Sequence, residues 1–254
     1  MTERNNQNMR RYVTLLTICI MAILVAGGAW ANGIGVSPKR VVIKNGQRYA
    51  DVTLANSSAV SKTFEITTIN KSMNKAGRLI DAQSPAPNEF FADALIRYTP
   101  RTVQIAPGQS QKVRILSRLS ASSADGEYRS HMLFKQVPDA YSDPSTPLLA
   151  ISIPVILKKG VLTSSFDLSA PQWRAQNEEA SVSFDLNRSG NQSIFGNASI
   201  LVDDKEIARL NDVAVYLSTP ARRVSVKIPA EHYKEVKGRR AQIVFTTPSD
   251  RKRL

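Results

Sequence analysis

From Arg40 to Thr246 the chain advances in short runs of β-branched and aromatic residues, each closed by Gly, Pro, Asn, Asp or Ser. Nowhere does a helical repeat of 3.6 residues take over, so the punctuation confines the chain to an all-β fold. Arg40–Ile43 reads as a strand and Asn45-Gly46 as a turn. Tyr49–Asn56 sets Ala50, Val52 and Leu54 on one face, and Ser61–Asn70 alternates through Phe64, Ile66 and Thr68. Arg101–Ile105 and Gln111–Leu116 flank the turn dipeptide Pro107-Gly108, and Gly126–Val137 and Leu148–Leu157 complete the first half. Strands in this number and spacing read as a β-sandwich of the immunoglobulin-like type.

The texture repeats after Lys158-Lys159-Gly160: Leu162–Leu168, Ala180–Leu186, Ser193–Val202, Ala214–Leu217, Arg222–Ile228 and Ala241–Thr246, with turns at Ser189-Gly190-Asn191 and Asp203-Asp204. The expectation is two sandwich domains, residues 32–159 and a smaller one over residues 160–254, ending in the basic tail Arg251-Lys252-Arg253-Leu254.

The first thirty-one residues are set apart. Arg10-Arg11 precede an uncharged run from Tyr12 to Gly28, and Ala29-Trp30-Ala31 supplies small residues for cleavage. Residues 1–31 therefore read as a secretory signal peptide, and the run is short for a membrane span. The protein is expected to be exported, with no stable membrane insertion after cleavage. Cys19, the only cysteine, leaves with the leader, so packing alone must hold the exported chain together.

Chemistry-bearing residues are sparse. There are two His, His131 and His232, one in each expected domain, and no G-x-S-x-G, P-loop or H-E-x-x-H pattern. The reading is of a protein that is not an enzyme, with no cofactor and no metal site. A net charge of +13 raises nucleic-acid binding, but the charges are dispersed and aromatics are 7% of the chain, so no nucleic-acid partner is expected. Positive charge can instead steer acidic partners.

One strand is unusual. After the polar, proline-bearing loop Pro138–Pro147, the run Leu148–Leu157 places Leu149, Ile151, Ile153, Val155 and Leu157 on one side. Pro154 lies on the other side and cannot donate to a ladder, which puts this strand at a sheet edge. A long apolar edge is a hazard unless it is covered internally or exists to pair with another chain. Periodicity alone allows an ordinary core strand as well as a strand for a partner. The same edge of a second copy can also cap it, giving a self-capping dimer.

Four segments give the chain a family likeness: Ile34–Ile43; Tyr98-Thr99-Pro100-Arg101 through Val113-Arg114-Ile115; Gly126-Glu127-Tyr128-Arg129 through Val137-Pro138; and the loop with the apolar strand after it. In order and spacing they resemble the periplasmic pilus (fimbrial) chaperones of chaperone–usher systems, in a nonclassical branch. The resemblance implies two immunoglobulin-like domains in an L. It implies binding of pilus subunits by donation of a β-strand to their incomplete sandwich, and delivery to an outer-membrane usher. The donor residues it implies are Leu149, Ile151, Ile153 and Val155.

In that family a first-strand Arg and a Lys on the donor strand hold the subunit's terminal carboxylate. Arg40 matches the Arg. Pro154 stands where the Lys would be, so the second charge is either lost or supplied elsewhere, with Arg129 the first candidate and Lys158 the second. For Arg129 a solvated face is the competing reading. His131 shares its face and is read as structural. Gln136 replaces an acidic residue typical of the family, and Asn211-Asp212-Val213 is at best a remnant of its second-domain Asn-Asp-Tyr-Gly stretch. The alternative function is an exported immunoglobulin-like scaffold or adhesion protein with no strand to donate.

Overall fold

The structure is a computed structural model, and it describes residues 33–138, 145, 147–176, 179–236 and 238–248. The expected signal peptide, most of the Pro138–Pro147 loop and the basic tail lie outside the described residues. The first half contains β1 (Ile34–Ser37), β2 (Val41–Ile43), β3 (Tyr49–Asn56), β4 (Lys62–Ile69), β5 (Lys71–Met73), β6 (Leu79–Asp81), β7 (Ile96–Thr99), β8 (Thr102–Ile105), β9 (Ser110–Ser117), β10 (Gly126–Val137) and β11 (Ala150–Lys159). The second half contains β12 (Ser164–Gln176), β13 (Glu179–Gly190), β14 (Ile194–Val202), β15 (Lys205–Val215), β16 (Ala221–Ile228) and β17 (Ala241–Thr246), with a one-turn helix, α1 (Tyr233–Val236), before β17.

The all-β architecture is as expected from the sequence. A four-stranded sheet, β1-β3-β9-β7, faces a five-stranded sheet, β2-β11-β10-β4-β8. Alternation drives the packing: Val52 and Leu54 of β3 and Val113 and Ile115 of β9 are fully buried, and Val52 sits opposite Val113. They meet Phe64, Ile66, Met132, Phe134, Ile153 and Val155 in one core. The second sandwich packs β12-β13-β16 on β15-β14-β17 around Phe184, Leu186, Ile200, Val215 and Val224.

Some boundaries differ from the sequence reading. The hairpin β5–β6 was not foreseen, because each of its strands has only three residues. The strand ending at Leu168 continues to Gln176 through a register shift between Ser169 and Gln172, where Ala170 takes φ 49° before Pro171. Charged residues from Lys205 disguise β15, which begins nine residues before the expected Ala214.

Two features position the cleft between the halves. The β5–β6 hairpin reaches across to the second sandwich: Ser218 Oγ accepts from Met73 N at 2.8 Å, Lys75 O accepts from Arg223 N at 2.7 Å, and Lys75 pairs with Asp185 at 3.3 Å. At its turn Gly77 has φ +78°, which favours glycine, and a Cβ there would fall 2.3 Å from Arg222 Nε, so a larger residue would have to displace that side chain. Beside it a small apolar contact joins Met73 and Ile156 to Ala214 and Tyr216.

Candidate functional site: a free strand edge beside a cationic cleft

β11 is paired along its whole length with β10, but β2 covers only Val155–Leu157 on its other side. The segment from Ala150 to Pro154 is therefore a sheet edge. Leu149 O accepts from Gln136 N at 2.8 Å, which fixes the phase of the ladder. Odd-numbered residues turn their main-chain groups to β10, and Ala150, Ser152 and Pro154 turn theirs outward. Pro154 thus lacks its N–H at the one kind of position where the β10 ladder does not need it.

The odd-numbered side chains face the first core. Ile153 and Val155 are 4% and 0% exposed, and Leu149 and Ile151 pack at its margin, partly buried. Of the four expected donor residues, then, Ile153 and Val155 are committed to the protein's own core, and Val155 lies where β2 already pairs. The outer face beside the free edge opens into a cavity of 760 Å³ lined by Leu133, Ala150, Ser152 and Lys71 among others.

Arg40 stands where the edge ends. Val41 is opposite Val155 in a parallel pairing, which brings Arg40 level with Pro154. Val41 and Ile43 point into the core, so Arg40 and Val42 project from the outer face toward the second sandwich. The Arg40 guanidinium lies 3.8 Å over the Phe195 ring, and its Nε is buried without a hydrogen-bond acceptor. Arg40 makes no ion pair among the described residues. Tyr216, also in this cleft, is buried; burial pushes its phenol up, against the nearby charges of Arg40 and Arg129 and a hydrogen bond from Arg40.

The other two expected anchors are already paired. Arg129 is 2% exposed, which overturns the solvated-face reading. Its Nη2 donates to Glu89 Oε1 and, at 2.7 Å, to Lys71 O, and its guanidinium sits 4.1 Å over the Tyr216 ring. Glu89 reaches it from the segment that runs along β10, where Phe90 O accepts from Arg129 N at 2.8 Å. Lys158 lies 3.6 Å from the buried carboxylate of Glu127 and donates to Gln192 Oε1 at 2.6 Å. Glu127 in turn accepts from Ser193 N at 3.1 Å and from the Ser193 hydroxyl. Lys158 and Glu127 therefore fasten the two sandwiches together, and of the three expected anchors Arg40 alone has no carboxylate partner among the described residues. Sequence reading missed both glutamates, since an isolated Glu on a strand or loop carries no signal of burial.

No family model matches the chain, and no curated protein matches it. Solved structures do. One is the CupB2 chaperone of Pseudomonas aeruginosa, 13% identical over 82% of this chain and 98% of that one, with a TM-score of 0.42. Another is the CsuC–CsuE chaperone–tip adhesion subunit complex from Csu pili of Acinetobacter baumannii, 15% identical over 79% and 91%, also 0.42. A third is the E. coli chaperone DraB, 14% identical over 78% and 87%, at 0.41. The structures it resembles are periplasmic pilus chaperones.

His131 is the remaining titratable group of the cleft. It is fully buried on β10 opposite Pro154, and neither ring nitrogen has a hydrogen-bond partner among the described residues. Burial first, and then the charges of Arg129 and Lys71, hold its pKa down to about 3 against an ordinary 6.5. The folded protein keeps His131 neutral across a range where the unfolded chain takes up a proton. Stability contributed by the neutral ring is thus whole above about pH 6.5 and falls as pH drops toward 3, by up to about 1.4 kcal/mol per pH unit. Urea unfolding of His131→Met between pH 7 and pH 4 should show an acid slope shallower than the parent's by about one proton. Equal slopes would mean that His131 titrates normally in the folded state.

Proposed function

We propose that the protein is a periplasmic chaperone that holds pilus subunits by adding the free edge of β11 to their incomplete sandwich and then passes them to an outer-membrane usher. One observation carries this reading: among the described residues, a strand edge left unpaired ends level with a cleft arginine that has no carboxylate partner. A partner strand laid on Ala150–Pro154 in line with β2, running parallel to β11, brings its own C-terminus to Arg40. A terminal carboxylate there meets a guanidinium fork suited to two hydrogen bonds. Main-chain groups of Ala150 and Ser152 supply the ladder. Leu149 and Ile151, at the core's margin, are the side chains left to enter a partner's pockets. Arg129 and Lys158 hold the cleft in shape and do not touch the carboxylate.

The test is recovery of the tagged protein from the periplasm of its host, with bound proteins identified by mass spectrometry. A stoichiometric small β-rich subunit should accompany it. Arg40→Ala should weaken capture about tenfold or more, as loss of a charge-assisted bond does, with the urea midpoint little changed. Arg40→Lys, which keeps the charge and loses the fork, should fall between. A clean monomer with pilus genes expressed would favour an exported scaffold. Unfolding of Arg40→Ala would make Arg40 a structural residue of the cleft.

A further inference from the structure

A second polar cavity, of 350 Å³, lies at the far end of the same sheet, away from the free edge. Its walls are the turn after β2, the loop between β9 and β10 and the last residues of β11. Lys44, Arg48, Lys158 and Lys159 all line it, with the hydroxyl residues Ser117 and Ser120, and no carboxylate is among its lining residues. The acids that meet these bases lie outside the cavity lining: buried Glu127 on Lys158, and exposed Asp125 at 4.0 Å from Lys159.

Two of the four cations are held in place. Lys159 Nζ donates to Ala121 O at 2.7 Å and to Ser123 O, and Lys158 is fixed by Gln192 and Glu127. Lys44 and Arg48 are exposed and make no ion pair among the described residues. Lys44 and Arg48 thus bring unpaired positive charge to a concavity whose other two cations are held in position, and an anion there would be attracted by all four.

We propose that this cup is an oxyanion site for phosphate-bearing ligands, with Lys158 and Lys159 as its fixed floor and Lys44 and Arg48 as arms that close on the ligand. Ser117 and Ser120 supply hydroxyls to further oxygens. The site is independent of strand addition. Because Lys158 also bonds Gln192 of the second sandwich, an occupant sits on the joint between the two halves.

Inorganic pyrophosphate is the probe, titrated calorimetrically into the purified protein at fixed ionic strength. Saturable binding is expected, weakened about tenfold or more in Lys44→Ala/Arg48→Ala, whose exposed side chains can be removed without unfolding the protein. Lys112→Ala, on the opposite sheet, should bind as the parent does. Co-sedimentation with phosphatidylglycerol vesicles but not phosphatidylcholine ones, lost in the double variant, would identify a lipid headgroup as the source. Pyrophosphate binding without co-sedimentation would identify a soluble phosphate. Binding that is absent, or equally weakened by Lys112→Ala and by the double variant, would overturn the site.

Discussion

Ala150→Pro/Ser152→Pro should abolish subunit capture, by about a hundredfold or more, and leave the protein folded. Both residues turn their N–H outward, at the same kind of position that Pro154 occupies in this strand, so neither proline removes a bond from the β10–β11 ladder. Each deletes a main-chain donor that a partner strand would need and sets a ring in that strand's path. The isolated variant should lose no more than about 1 kcal/mol in urea unfolding, in keeping with substitutions at an edge. Ile151→Pro is the contrast: it removes a ladder bond to β10 opposite Phe134 and should destabilise the protein itself. Capture that survives both outward prolines in a folded protein would rule out strand addition at this edge. Charged replacements at Ile153 would not discriminate, because that side chain is 4% exposed in the protein's own core and its loss would unfold the chain.

The edge was legible in the sequence because proline leaves a plain physical mark: a strand residue with no N–H must face away from a partner. Arg40 was singled out only by the family resemblance, aligned through the apolar run that follows it. The pairing of the other two cations was not legible. Alternation assigns every second residue of a strand to solvent, and it holds for β3 and β9, which bury one face. The first half of β10 buries both, because Tyr216 of the second sandwich lies over its outer side and the Glu89–Phe90 segment runs along its edge, bringing the Glu89 carboxylate to Arg129. From Gly126 to Met132 every residue is buried, and Arg129 and His131 then look like surface positions while lying at the centre of the molecule. What covers a strand's second face comes from elsewhere in the chain, and no local period records it. The Lys158–Glu127–Ser193 contact was hidden for the same reason, its partners being 66 residues apart.

Glu89→Gln should cost about 3 kcal/mol or more in urea unfolding. Glu89 and Arg129 are both almost wholly buried, and Glu89 is the one carboxylate that Arg129 meets among the described residues. A glutamine can still accept a hydrogen bond, but it leaves the guanidinium charge in a site already short of acceptors, since Arg129 Nε and Nη1 have none. Removing one member of a buried pair exposes the full desolvation cost of the other, whereas removing both need not. The double variant Glu89→Leu/Arg129→Met should therefore recover much of the loss. The pair also determines which arginine the cleft offers to a ligand. With Glu89 in place Arg129 is neutralised and held against Tyr216, and Arg40 is the cleft arginine with no carboxylate among the described residues. With Glu89 changed to Gln, Arg129 gains an unpaired charge beside the same ring. Subunit capture by Glu89→Gln/Arg40→Ala should then exceed that of Arg40→Ala alone if the cleft reads charge. A loss below about 1 kcal/mol in Glu89→Gln would show instead that Arg129 is satisfied by other groups and that Arg40 owes nothing to the pair.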